Sequence, residues 1–393
     1  MTTTIRLNGP ADVLTVLPYQ LGFHPCQCLV AVSLRGSRSN RVGLVQRIDL
    51  PPSEHVGEAV DAMMVPLFQE APESVLLIGF EEIEGQSRAM LDEMDDACRA
   101  YGIKVADRMV VRDGRWFDLD CVQSCCPPEG LPLPAPSEVP AVAEFVGREI
   151  CPLPDRSALA DLVEPNRPQP GRAISRLAQE WRRLRHEATG TGPAGLPAGQ
   201  QEPVIAERGP VAAECGPVAA ERELHDFRAS ELAVWSRVLC YEDDAEPIRE
   251  LPPQDLAMLA ASLTDVDLRD GLIAWLCPGT LSLDLIDPFL SAQMTRVLAE
   301  PRVRGDLEGA GGMEQVIRLQ RLERRLCELS AALPDAWAVP TLTVLASFSW
   351  WRGDGALTRI ALDRALRVEP EYRLAQLLER MVDLAIRPER ASA

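Results

Sequence analysis

Three cysteines fall within six residues, Cys121-Val-Gln-Ser-Cys125-Cys126, and Pro127-Pro128-Glu129-Gly130 follows them. Thiolates spaced two to four residues apart form half of a structural zinc site, and Cys121 and Cys125 have that spacing. The other half is missing nearby: Cys151 could add a fourth thiol only if the Pro-rich stretch before it folds back. One reading is a metal or redox centre at Cys121, Cys125 and Cys126. The other is a tight turn in which small thiols pack as hydrophobes. A second group is His24 in the loop Leu21-Gly-Phe-His-Pro25, taken with Arg47 and Asp49. Two residues apart on one strand, Arg47 and Asp49 share a face. With His24 close by, they could bind an anion or move a proton at a strand end, where α/β sheets take their ligands. The alternative is a structural ion pair with His24 filling the loop.

Other matches carry less. Gly190-Thr-Gly-Pro-Ala-Gly195 fits a dinucleotide fingerprint only by letter, because no strand precedes it and Pro193 interrupts it. No P-loop, zinc-protease, nucleophile-elbow or EF-hand pattern occurs, and the four histidines are scattered. A basic helix with Arg172, Arg176, Arg182, Arg183 and Arg185 around Trp181 reads as a solvated face or a contact for an acidic partner.

At 393 residues the chain exceeds one ordinary core, and two modules follow. Its net charge of −19 offers no basic stripe for phosphates, so neither nucleic acid nor an anionic membrane surface is expected as a partner. Lys104 is the single lysine. The start, Met1-Thr-Thr-Thr-Ile-Arg6, has no signal-peptide pattern. The longest apolar run, 336–351, is broken by Pro340 and is too short for a span. A cytoplasmic protein with reduced thiols is expected.

The elements that must hold these groups alternate in the first module, 1–124. Ile5-Arg6-Leu7 reads as a short strand, and 11–17 as a helix closed by Pro18 to Gly22. Cys28 to Leu34 is an apolar run buried on both faces. Val42 to Leu50 alternates, with Val42, Leu44, Gln46, Ile48 and Leu50 on one face and Val45, Arg47 and Asp49 on the other. Helix 54–69, strand 75–80, helix 86–100, strand 104–112 and an Asp113-Gly114 hairpin into Arg115-Trp-Phe117 complete it. The fold class is an α/β module, a mixed sheet covered by helices.

Residues 125–187 form a Pro-rich seam with connecting helices. Residues 188–222 form a low-complexity flexible linker with three near-copies of one heptapeptide, starting at Pro203, Pro210 and Pro217. Residues 223–393 show apolar spacing of three to four throughout, an all-α module. Near its end, Gly353-Asp354, Ala361, Ala365-Leu366 and Pro370 have the spacing of the second half of a tetratricopeptide repeat, which implies a closely packed terminal helix pair.

Four segments together carry a resemblance: Pro18-Tyr-Gln-Leu-Gly-Phe-His-Pro25, Val45-Gln-Arg-Ile-Asp-Leu-Pro51, Cys125-Cys-Pro-Pro-Glu-Gly130 and Trp351-Arg-Gly-Asp-Gly355. They are similar to an actinobacterial family known as domain of unknown function 4192. The likeness covers the chain outside 189–222 and implies a cytoplasmic actinobacterial protein, but assigns no activity. The leading functional expectation is a non-enzymatic binding or regulatory protein whose helical module engages a protein or peptide. Its rivals are an enzyme with a small-molecule site near His24, Arg47 and Asp49, and the cysteine centre at 121–126.

Overall fold

The computed structural model describes residues 7, 9–36, 41–121, 125–165, 171–189, 217–240, 242, 245–298 and 310–386. Most of the strand expected at 5–7 and most of the linker lie outside them. The chain divides into two compact units, residues 3–159 with 380–386, and residues 160–379.

The first unit is built on a six-stranded mixed sheet. Its elements are α1 (Pro10–Leu21), β1 (Cys28–Arg35), β2 (Arg41–Asp49), α2 (Val56–Glu70), β3 (Ser74–Phe80), α3 (Arg88–Ala100), β4 (Lys104–Arg112), β5 (Arg115–Asp118), β6 (Leu131–Pro132), α4 (Pro140–Val146) and α5 (Arg156–Asp161), the last running on past residue 159. The strand order is β2-β1-β3-β4-β5-β6. Only β3 and β4 are parallel, joined through α3; every other neighbouring pair is antiparallel. Asp113 and Gly114 both have positive φ (52° and 70°), as a tight β4–β5 hairpin of right-handed twist requires.

Both faces of the sheet are covered, which explains the unbroken apolar runs. Leu29 and Ala31 of β1 and Val75 and Leu77 of β3 join Met63, Leu67, Leu91 and Met94 from α2 and α3. The alternate residues Val30, Val32, Leu76 and Ile78 join Leu14 and Leu17 of α1. α4 packs against α1, with the Tyr19 and Phe145 rings 5.8 Å apart.

Two local expectations change. Pro18 does not close α1; it lies inside the helix, which ends on Gly22 in the left-handed region (φ 79°). A proline forfeits one backbone hydrogen bond, and burial of Leu14, Val16 and Leu17 outweighs that loss. Val42 is the second case. A bulge sets Ser33 of β1 opposite Gly43 and Leu44, so Val42 packs on the same face as Val45. Gly43 permits it, since a Cβ there would meet Ser33 Oγ at 2.6 Å and Glu70 Oε1 at 2.7 Å.

The second unit is all helical: α6 (Gly171–Thr189), α7 (Pro217–Val238), α8 (Pro253–Ser262), α9 (Val266–Leu276), α10 (Pro288–Val297), α11 (Ala310–Ala332), α12 (Asp335–Arg352), α13 (Gly355–Val368) and most of α14 (Arg373–Asp383). α7 starts at Pro217, inside the stretch read as linker, because the third heptapeptide copy is rich in helix formers. Gly353 (φ 93°) ends α12, and the Asp354 carboxylate accepts from Leu357 N–H (2.9 Å) to start α13. α12 packs against α13, in which Ala361 and Ala365 are fully buried. Among the described residues, no helix is long and apolar enough to cross a membrane.

Buried arginines tie the helices together. Arg228 donates to Asp265 and Asp287, whose carboxylates also cap α9 and α10. Arg325 donates to the carbonyls of Arg237 and Val238 at the end of α7. Glu231, fully buried between Trp181, Arg185 and Arg228, has its carboxyl pushed up to about 7, mainly by burial.

Candidate metal centre

The two groups of candidate residues lie toward opposite ends of the sheet. Cys28 pairs with Asp49 on one side and Phe80 on the other, which places the His24 loop, Arg47 and Asp49 at the carboxyl end of β3. β5 runs back along β4, and Leu119 N–H donates to Arg108 O (2.9 Å). Cys121 therefore follows β5 toward the amino end of β4.

At the carboxyl end, Arg47 and Asp49 form an ion pair, the guanidinium 12% and the carboxylate 68% exposed. Arg47 also lies 5.7 Å over the buried Phe23 ring and reaches the Cys28 thiol, which burial pushes up to about 11. His24 is exposed and held through its backbone: His24 N–H donates to Leu153 O (3.0 Å) and Leu153 N–H to Gly22 O (2.8 Å). Its imidazole makes no hydrogen bond or ion pair with Arg47 or Asp49 among the described residues. Sequence reasoning passed over the β3–α3 loop beside them. There Glu82 accepts from the Cys26 thiol (3.2 Å) and from Gln27. Buried Glu81 accepts from Ser87 N–H (2.8 Å), Ser87 Oγ–H (2.6 Å) and Gly85 N–H (3.1 Å), and pairs with Arg112 (3.0 Å). These amides at the start of α3 are the donors an α/β sheet offers a bound phosphate, and the chain's own carboxylate takes them.

At the other end the β5–β6 loop gathers the three thiols. Asp118 Oδ1 accepts from Asp120 N–H and Cys121 N–H (both 3.0 Å), which turns the chain at the end of β5. Arg108 grips Asp120 (2.5 Å) and Asp92 of α3 (2.8 Å), and holds the Asp120 carboxyl below its usual range. On the return side, Gly130 N–H donates to Pro127 O (2.8 Å), and Arg115 donates to the carbonyls of Glu129 and Gly130 (both 2.7 Å). Gly130 sits at φ 71° with Phe117 carbons 2.6–2.9 Å from where a Cβ would stand, so only glycine fits.

Between these two anchors, Cys125 Sγ lies 3.6 Å from Cys121 Sγ and 3.8 Å from Cys126 Sγ. All three sulfurs are within 4.8 Å of one another, and Cys151 is outside the group. A zinc ion with bonds of about 2.3 Å sets tetrahedral sulfur–sulfur edges of about 3.8 Å. Cys125 is exposed; Cys121 and Cys126 are half-buried. The Cys126 thiol is pushed up to about 12, first by its contact with Cys121. Three converging thiols are a donor set that suits a thiophilic ion.

The family described as domain of unknown function (DUF4192) matches residues 10–281 and 292–389, which take in both ends of the sheet and most of the helical unit. The chain belongs to this family. No curated protein and no solved structure matches it. The DUF4192 match runs through 189–222, the stretch that the sequence sets apart, and it omits 282–291 at the start of α10.

Proposed function

We propose that this DUF4192 chain binds a thiophilic metal ion, Zn2+ in the first instance, through Cys121, Cys125 and Cys126. The observation that carries the proposal is the approach of the three sulfurs, two of the separations being 3.6 and 3.8 Å. The bound ion would have three thiolate ligands and one exchangeable position toward solvent, beside the exposed Cys125. Such an ion supplies Lewis acidity or a metal-dependent change of the loop. The chain's part is to hold the sulfurs together, through the Asp118 turn, the Arg108–Asp120 pair and the Gly130 turn.

Anaerobic titration of reduced protein with Co2+, a visible stand-in for Zn2+, tests this. One equivalent should produce thiolate-to-cobalt absorption that Zn2+ abolishes, and the triple variant Cys121→Ser/Cys125→Ser/Cys126→Ser should lack it. Equal binding by the triple variant, or none by the native chain, would refute the site.

A second reading, a helical unit that engages a partner peptide, is supported by the exposed side chains Leu285 and Phe289. They are sequence neighbours of residues lining a groove of about 530 Å3, among them Asp284, Ile286, Pro288, Ala292, Thr295 and Arg296. A stoichiometric partner lost on Leu285→Asp/Phe289→Asp would support this reading; undiminished recovery would count against it.

A further inference from the structure

Within the cluster the three sulfurs are not equivalent. Cys125 is the exposed one, and its sulfur lies 3.6 Å from Cys121 Sγ and 3.8 Å from Cys126 Sγ. Cys26, also exposed, faces the Glu82 carboxylate and not a second thiol. An oxidant arriving from solvent therefore meets, at Cys125, a sulfur with another thiol already in contact.

We infer that Cys125 is an oxidation site at which a hydroperoxide forms a Cys121–Cys125 disulfide, releasing the metal. The inference rests on the metal-site reading and adds its regulation. The Cys125 thiolate attacks one oxygen of the hydroperoxide; the O–O bond breaks, the other oxygen leaves as alcohol or water after taking a proton, and the sulfur is oxidised to a sulfenic acid. The Cys121 sulfur then attacks the Cys125 sulfur. The S–S bond forms, the S–O bond breaks, and the departing hydroxide leaves as water, taking its proton from Cys121 in the metal-free chain and from solvent where Cys121 is a zinc-bound thiolate. Two thiols and one hydroperoxide give one disulfide, one alcohol and one water. Cys121 is the resolving thiol because adjacent residues across a trans peptide have Cα atoms about 3.8 Å apart, short of the roughly 4.4–6.8 Å that a disulfide spans. With two of three thiolates consumed, Cys126 alone does not retain the ion.

Trypsin cuts after Arg115 and Arg148 and at no residue between, so one peptide carries all three cysteines. The full chain, zinc-loaded and metal-free, is treated with one equivalent of hydrogen peroxide. Zinc release is followed with a chromogenic chelator, and the peptide is weighed without reduction. The expected result is a peptide lighter by two hydrogens, formed about tenfold faster than Cys26 or Cys151 is oxidised, in step with zinc release. Cys126→Ser should keep the disulfide; Cys125→Ser and Cys121→Ser should lose it. Zinc binding with a peptide that stays reduced, or a disulfide that persists in Cys125→Ser, overturns this inference and leaves the metal reading standing. Failure of the native chain to bind zinc overturns both.

Discussion

Gly79 of β3 and Ser87, which precedes α3, approach so closely that a Cβ on Gly79 would stand 2.5 Å from Ser87 Cβ and nearer still to its hydroxyl. The strand and the helix start are packed with no room for a methyl group. Gly79→Ala should lower stability by about 2–3 kcal/mol through overpacking. Chemical denaturation reads the loss. A double variant Gly79→Ala/Ser87→Gly should recover part of it, and strict additivity of the two single changes would show that the contact is not the cause.

The same turn depends on Glu81. Its two oxygens accept three donors and face Arg112, an arrangement that an amide cannot reproduce, because one oxygen becomes an NH2 pointing at N–H groups. Glu81→Gln should cost about 2–3 kcal/mol in urea unfolding. A change within about 0.5 kcal/mol would mean that the network is not formed in solution.

Two carboxyls, the buried Glu231 and the half-buried Asp354, set the pH response of the helical unit. Glu231 and Asp354 are both pushed up to about 7, chiefly by burial, and in the case of Asp354 next by Glu323. A raised value means that the folded state favours the protonated form. The stabilising contribution is complete below the ordinary carboxyl values near 4 and is lost as pH rises through about 7. Stability should therefore fall between about pH 4 and pH 7, by something on the order of 3 kcal/mol per group. The net charge of −19 pushes the same way, since acid relieves self-repulsion. Glu231→Gln should flatten the profile measured by thermal unfolding; an unchanged slope would remove Glu231 as a source.

The Asp118 turn aims Cys121 without touching the proposed ion. Asp118→Ala should weaken metal affinity about 10–100-fold with little loss of fold, as loss of a supporting partner does at metal sites. Competition with a chelator measures it. Native affinity in the variant would mean that the three sulfurs converge without the turn.

The sequence made the layers readable because burial writes directly on residue type: Leu29–Val32 and Val75–Ile78 are apolar on both faces, which only a two-sided sheet requires. Alternation in β2 was equally plain, yet it misplaced Val42, since a bulge shifts parity and Gly43 alone does not announce one. At the cysteine loop, spacing picked out Cys121 and Cys125 as a candidate pair, and their sulfurs lie 3.6 Å apart. The convergence of Cys126 depends on Arg115, Arg108 and Gly130, whose contacts cross 12–15 positions. Glu81 was not legible at all. Among Glu81, Glu82 and Glu84 nothing in the string separates the buried carboxylate from the exposed ones. Arg228 was hidden for a related reason, its partners lying 37 and 59 residues away.

The two-residue strand β6 bears on how the first unit can be isolated. Leu131 and Pro132 cover β5, and Leu133 N–H donates to Gly114 O (2.9 Å). A fragment ending at residue 124 would expose β5 as a bare hydrogen-bonding rim and uncover the buried Trp116, a template for sticking to its own copies. One ending at residue 159 would retain that cover, α4 and the Leu153 contact with the His24 loop. The short strand, with Pro132 in it and Pro134 just after, is thus an end-stop on the β5 side of the sheet, where proline offers no N–H to a further strand.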